Sequence, residues 1–267
     1  MDISNFSGDK KTFIMGVLNV TPDSFSDGGM YDGIDLALRR VEEMVSEGAD
    51  IIDIGGESTR PGATPTDEKE EMERVIPVIK EVRKYFNIPI SIDTYKSAVA
   101  RRALDAGADM INDIWGFRQD PQMAQVAAES GAMCVLQHNS DDTFYGDIIG
   151  DIARELGESV SIAMDAGVRR DRIIIDPGIG FGKTYEQNLE ILNNLGQFVS
   201  LGYPVLVGAS RKSVICKTLD IKPQEADSGT AAISVMCAEA GVMFVRVHNV
   251  KMNADAIRMT EAVLNAK

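Results

Sequence analysis

Eight short apolar runs recur along the chain, each followed by a polar or Gly-rich turn and then a longer amphipathic stretch. They cover residues 13–19, 51–56, 88–94, 110–114, 133–138, 173–177, 204–209 and 243–248. Most are rich in Val and Ile and apolar on both faces, the pattern of strands buried in a parallel sheet. Between them lie helical patterns. Ile34, Ala37, Leu38, Val41, Met44 and Val45 follow the i, i+3, i+4, i+7 spacing of one helix face, and so do Ile149, Ile152, Ala153, Leu156, Val160 and Ala163. Residues 72–82 are also periodic, and Pro77 is expected to start or kink their helix. Eight strand–helix units of about 33 residues each total close to the ~250 residues of a (β/α)8 TIM barrel. No linker or shift of composition divides the chain, so one α/β barrel domain over residues 1–267 is expected. The alternative is a doubly wound open sheet. It would place a Gly-rich dinucleotide turn after the first strand, where this chain reads NVTPDSFSDGG. The units share no repeated consensus, so their period is architectural and not that of a solenoid.

Composition narrows the partners. Lys and Arg number 27 against 41 Asp and Glu, a formal charge of −14. That excess weighs against nucleic acid and against docking on an anionic membrane. Cys134, Cys216 and Cys237 form no CxxC pair, and an odd count argues against a disulfide framework. Two histidines, His138 and His248, cannot build a His-rich zinc site. The start MDISNFSGDKKTF lacks the apolar core of a signal peptide, and no apolar run nears the ~20 residues of a membrane helix. A soluble cytoplasmic protein is expected.

Barrel chemistry sits at the C-terminal strand ends. Here those ends read Asn19; Gly55-Gly56 running into Glu57-Ser58-Thr59-Arg60; Asp93; Asn112-Asp113; His138; Asp176; Ser210-Arg211-Lys212-Ser213; and Arg246 with His248. A purely structural barrel has no need of this, because buried polar groups cost free energy unless paired. Each residue also has a plainer reading. Asp93 precedes a helix and could cap it. Asp176-Pro177-Gly178 is an ordinary turn signal. Asn112 could satisfy a local backbone group, and His138 reads as a core or rim histidine. Arg246 and His248 are two apart on one strand and share a face; a buried Arg needs an anion, from the protein or from a ligand. Residues 178–184, GIGFGKT, fall one residue short of a phosphate loop and are not read as one; Lys183 is taken as a solvent-side or loop contact. Cations at the mouth (Arg60, Arg211, Lys212, Arg246) imply an anionic ligand such as phosphate or carboxylate. The acceptors Asp93 and Asp176, with Asn112, suit a flat heterocycle that presents N–H and amino donors.

At these residues the chain resembles the dihydropteroate synthase family. The matching blocks are MGVLNVTPDSFSDGG (15–29), DIGGESTRPG (53–62), SIDTYK (91–96), INDI (111–114), DPGIGFGK (176–183), GASRKS (208–213) and RVHNV (246–250), spread over nearly the whole length. The resemblance implies condensation of 7,8-dihydropterin-6-ylmethyl diphosphate with 4-aminobenzoate, in folate biosynthesis, with magnesium (Mg2+) as cofactor. It implies a pterin pocket of Asp93, Asn112, Asp176 and Lys212, and Asn19 as the protein ligand of magnesium. Thr59, Arg246 and His248 would bind diphosphate. Phe25, Arg60, Pro61 and Ser213 would line the 4-aminobenzoate, and hence sulfonamide, site. It also implies a homodimer built on the last helices. The loops 20–30 and 57–65 are expected to complete the amine site only when magnesium and diphosphate are bound. One departure is visible: where the family usually reads Met-His-Met, this chain reads Gln137-His138-Asn139. Two other readings are a methyltetrahydrofolate-dependent corrinoid methyltransferase, which has no use for the SRKS and RVH blocks, and a non-catalytic pterin-binding barrel.

Overall fold

In the computed structural model, residues 2–7, 11–21, 30–57 and 65–266 are described, the side chains of residues 30–32 excepted. Phe25, Thr59, Arg60, Pro61 and most of the two loops named above lie outside the described residues. Eight parallel strands form one sheet: β1 (Phe13–Asn19), β2 (Ile51–Gly55), β3 (Ile90–Asp93), β4 (Met110–Asp113), β5 (Met133–Gln137), β6 (Ile173–Asp176), β7 (Leu206–Val207) and β8 (Phe244–Val247). Their order is β6-β5-β4-β3-β2-β1-β8-β7. A bridge from Ile175 to Val205 joins β6 to the residues leading into β7 and nearly closes the circle, which excludes the open doubly wound sheet. Each apolar run supplies a strand, most of them shorter than the run. The seventh shrinks to two residues.

Helices α1 (Met30–Glu47), α2 (Glu68–Tyr85), α3 (Ser97–Ala106), α4 (Met123–Ser130), α5 (Ile148–Asp165), α6 (Tyr185–Asn193), α7 (Leu195–Val199), α8 (Ser213–Leu219), α9 (Asp227–Ala240) and α10 (Val250–Leu264) follow their strands. On α1, Ala37, Val41 and Met44 are fully buried, whereas Val45 is exposed, so the apolar stripe is narrower than the pattern suggests. Pro77 does not start its helix. Asp67 accepts a bond from the Glu70 N–H at 2.8 Å and caps α2 well upstream, with Glu68, Glu70 and Glu71 favouring the positive end of the helix dipole. The buried face of Val75, Val78, Ile79 and Val82 carries the helix through the proline.

Strand alternation divides the core in two. One set of side chains, including Ile14, Ile52, Ile54, Ile90, Ile92, Ile111, Ile175 and Val245, packs with the helices. The other packs into the barrel: Phe13, Met15, Ile51, Met110, Met133, Val135, Ile174, Leu206 and Phe244. Phe6, from the segment before β1, stacks edge-on against Phe13 and Phe244, with ring centroids 5.1 and 5.0 Å away. The inward positions nearer the C-terminal strand ends are different. They are Asp53, Ser91, Asp93, Asn112, Gln137, Asp176 and Arg246, a polar tier above an apolar plug.

Candidate active site

The polar tier is organised around one guanidinium. Arg246 on β8 donates from Nε to Asp53 and from a terminal nitrogen to Asp93, both at 2.6 Å. Asn112 donates from Nδ2 to the same Asp53 oxygen at 3.1 Å. Two carboxylates share this one guanidinium, and the Lys212 charge also acts on Asp93. Burial pushes Asp93 up to about 7, against the Arg246 charge, with Asp53 raising it further. Arg246 is held above its ordinary value: burial alone would lower it, and the Asp53 and Asp93 charges more than offset that. Among the described residues, the buried atoms Asp53 Oδ1, Asn112 Oδ1 and Ser91 Oγ have no hydrogen-bond partner. A tier of buried acceptors left in this state calls for a donor-rich ligand.

Asp176 closes the tier at the end of β6. Its Oδ1 accepts the Gly178 N–H at 2.7 Å, so the turn reading of Asp-Pro-Gly is also met. Burial raises its pKa, with the Lys212 charge opposing. Lys212 donates to the Ile179 carbonyl and lies 4.4 Å from the centre of the Phe181 ring. Burial lowers it to about 8. The glycines of the 178–183 turn permit this approach. Gly178 has φ +71°, and a Cβ there would lie 1.9 Å from the His138 carbonyl oxygen; at Gly180 one would meet the Lys212 stem at 3.0 Å.

Other candidates fall as follows. Asp93 does not cap α3, which starts after Lys96 without a side-chain cap. Asn19 is half-buried at the end of β1, beside Gly55. Ser213 is exposed at the first turn of α8. Arg211, at φ +60°, is fixed by a two-nitrogen pair with Asp227, at 3.1 and 3.3 Å. His248 makes a 3.0 Å contact from Nδ1 to Ser210 Oγ and lines a cavity of about 390 Å³ with Arg40, Glu43, Arg211 and Asn249. Arg246 and His248 therefore meet different neighbours, Arg246 in the barrel tier and His248 on the Ser210 side. His138 is buried, as expected of a core histidine. Lys183 is not a solvent-side residue. Its ammonium turns inward, 2.9 Å from His138 Nδ1 and 2.7 Å from the Phe181 carbonyl, and burial lowers it to about 7. Asn139 is buried, and its carbonyl accepts from Arg118 at 2.7 Å.

Asp53 is absent from the sequence-derived candidates. A signal existed: an Asp at the alternate position of IIDIG shares its face with Ile51 and Gly55, inside the barrel.

Fold and site together define an enzyme class: a (β/α)8 barrel whose C-terminal strand ends carry carboxylate and amide acceptors with cations beside them. The family model for "pterin binding enzyme" matches residues 15–248. The dihydropteroate synthase of Clostridium beijerinckii is 52% identical over 264 residues, 97% of each chain. A dihydropteroate synthase of Clostridium difficile, solved in the presence of pteroic acid, superposes with a TM-score of 0.95 at 50% identity, covering 98% of this chain and 100% of that one. That of Xanthomonas albilineans, in complex with 7,8-dihydropteroate, superposes with a TM-score of 0.90 at 37% identity, covering 98% and 97%. The chain belongs to the pterin-binding enzymes, and within them to the dihydropteroate synthase family.

Proposed function

We propose that this chain condenses 7,8-dihydropterin-6-ylmethyl diphosphate with 4-aminobenzoate. The amine nitrogen bonds to the methylene carbon, the carbon–oxygen bond to diphosphate breaks, and the amine proton passes to solvent. The observation that carries the reading is the polar tier of Asp53, Asn112 and Asp176, buried, with the half-buried Asp93, in which Asp53 Oδ1 and Asn112 Oδ1 lack partners; its acceptors match the N–H and amino donors of a pterin. Asp176 and Asp93 would accept from the ring and Asn112 would complete the pocket. Lys212, placed on Ile179 and Phe181, would contact the ring and border the amine. Lowered to about 8, Lys212 still carries its proton for the most part at neutral pH and would donate to the ring.

Arg246, His248 and Thr59 would neutralise the leaving diphosphate. Phe25, Arg60, Pro61 and Ser213 would receive 4-aminobenzoate, and with it sulfonamides that mimic its shape. Among the described residues no cluster of three His, Cys, Asp or Glu side chains is arranged to hold a metal. One hard oxygen from Asn19 fits magnesium, which keeps waters and substrate phosphates as its other ligands. When bound, magnesium would neutralise charge on the leaving group. An arylamine is a weak nucleophile, so departure of diphosphate ahead of attack is the favoured order, with positive charge spread into the pterin ring. No activated Ser or Cys is required.

We further propose a cytoplasmic homodimer. No described helix is long and apolar enough to cross a membrane. The reaction is tested by diphosphate release. Release sustained over many turnovers should require both 4-aminobenzoate and magnesium and should stop on chelation. Release at the same rate without the amine would refute the assignment.

A further inference from the structure

Lys183 ends the DPGIGFGK block and has no part in the chemistry above. It is half-buried, and its ammonium meets two neutral groups, His138 Nδ1 at 2.9 Å and the Phe181 carbonyl at 2.7 Å. An ammonium has no lone pair to accept with. His138 Nδ1 is therefore the acceptor, and the imidazole N–H stands on Nε2, 3.2 Å from a Glu155 carboxylate oxygen. Burial lowers Lys183 to about 7, with the Asp176 charge opposing. A cation drawn from water toward two neutral partners is a poor stabilising device, because its lost hydration is not offset by a paired carboxylate.

What Lys183 holds is the turn between β6 and α6, and that turn is the seat of Lys212. Lys212 donates to the Ile179 carbonyl, and its ammonium lies 4.4 Å from the centre of the Phe181 ring. Its stem runs over Gly180, where a Cβ would stand 3.0 Å from it. Ile179, Gly180 and Phe181 thus decide where this ammonium stands. The turn is itself pressed onto the segment after β5. A Cβ at Gly178 would lie 1.9 Å from the His138 carbonyl oxygen, and one at Gly182, φ +56°, 2.3 Å from that of Ser140. The Tyr145 hydroxyl donates to the Gly182 carbonyl at 2.9 Å, and Asn188 Oδ1 accepts the Gly180 N–H at 2.6 Å. Lys183 closes this arrangement from within: it ties Phe181, whose ring faces Lys212, to His138. A turn already held in one place spares a ligand the cost of ordering it.

We propose that Lys183 is a positioning residue: by tying the Phe181 carbonyl to His138 it fixes the turn on which Lys212 is seated, and so sets where Lys212 meets the pterin ring. The inference rests on the reading that Lys212 contacts that ring. The test is a double-mutant cycle on Lys183→Met and Lys212→Met, with Lys183→Arg beside it. Each variant is measured by calorimetric titration of a phosphate-free pterin and by thermal midpoint. Lys183→Met keeps the shape of the stem and removes the cation; Lys183→Gln, shorter and still a donor, serves the same cycle should the methionine variant misfold. Lys183→Met should weaken pterin binding about tenfold, and Lys183→Arg should recover most of that loss. The double variant should bind within about twofold of Lys212→Met alone, because Lys183 acts through Lys212. A folded Lys183→Met protein with parental affinity overturns the positioning role, whether or not its thermal midpoint drops. So do additive losses, which would mean that Lys183 works through the Asp176 charge and not through the seat of Lys212. If Lys212→Met itself leaves pterin affinity unchanged, the reading of Lys212 fails and the proposal with it.

Discussion

Asp176 and His138 are two residues whose surroundings dictate their protonation. Asp176 holds the Gly178 N–H with one oxygen and sits buried, its pKa raised by that burial against the Lys212, Lys183 and Arg246 charges. Asp176→Asn would exchange a charged acceptor for an amide that adds a misplaced donor. Pterin-analogue affinity should fall by about 2–4 kcal/mol, read by calorimetric titration. Unchanged affinity would remove Asp176 from the pocket. His138 is held neutral: burial, then the Lys183 and Arg118 charges, lower it from 6.5 to about 2. Between those values the unfolded chain binds a proton that the folded chain refuses. Stability should therefore fall as pH drops below 6.5, by about 1.4 kcal/mol per pH unit from this residue. In urea titrations at pH 6.5 and 5, His138→Gln should lose about 2 kcal/mol less than the parent over that interval. Equal losses would mean His138 accepts a proton in the fold. At this scale the sequence showed that Asp93, Asn112 and Asp176 end strands. It did not show that Arg246 would be held by Asp53, 193 residues away, because a pairing that distant is set by barrel closure.

Among the elements, the strands show how one alternating pattern serves two purposes. Their outward positions are apolar save Asp113 at the end of β4, which accepts the Trp115 and Phe117 N–H groups, and their inward positions change from apolar to polar toward the C-terminal ends. The apolar plug below supports the polar tier above. Phe6, though outside any strand, closes that plug against Phe13 and Phe244. Phe6→Ala should destabilise the fold by about 3–4 kcal/mol, since a buried aromatic is lost and the rigid barrel cannot collapse around the gap. A chemical denaturation curve measures this; a change under 1 kcal/mol, about one small-residue trim, would show that the plug closes without it. Element type was legible because burial on both faces and 3.6-residue spacing are local signals. The bounds were less so. β7 keeps two of six expected residues, and α2 starts at its Asp67 cap and not at Pro77, because pairing partners and caps outweigh local preference.

For the whole molecule, α9 and α10 pack together and leave Met236, Met252, Met259, Val263 and Leu264 exposed, Met259 at 65%. Such an apolar face favours burial against a second copy. Sedimentation velocity should give twice the 29.0 kDa chain mass, and Met259→Glu should shift the protein toward monomer. A parent protein that sediments at the chain mass would exclude the dimer. By itself the sequence determined the barrel class, the strand ends that carry polar groups, and, through its motif blocks, the family. Each of these follows from periodicity or from residues adjacent in the chain. Only the tertiary structure decided that Arg246 joins Asp53 to Asp93, that Lys183 turns inward onto His138, and that Lys96 bridges Glu57 and Glu71. A buried charge takes whatever partner closure of the barrel brings within reach, and no local pattern in the chain records that choice.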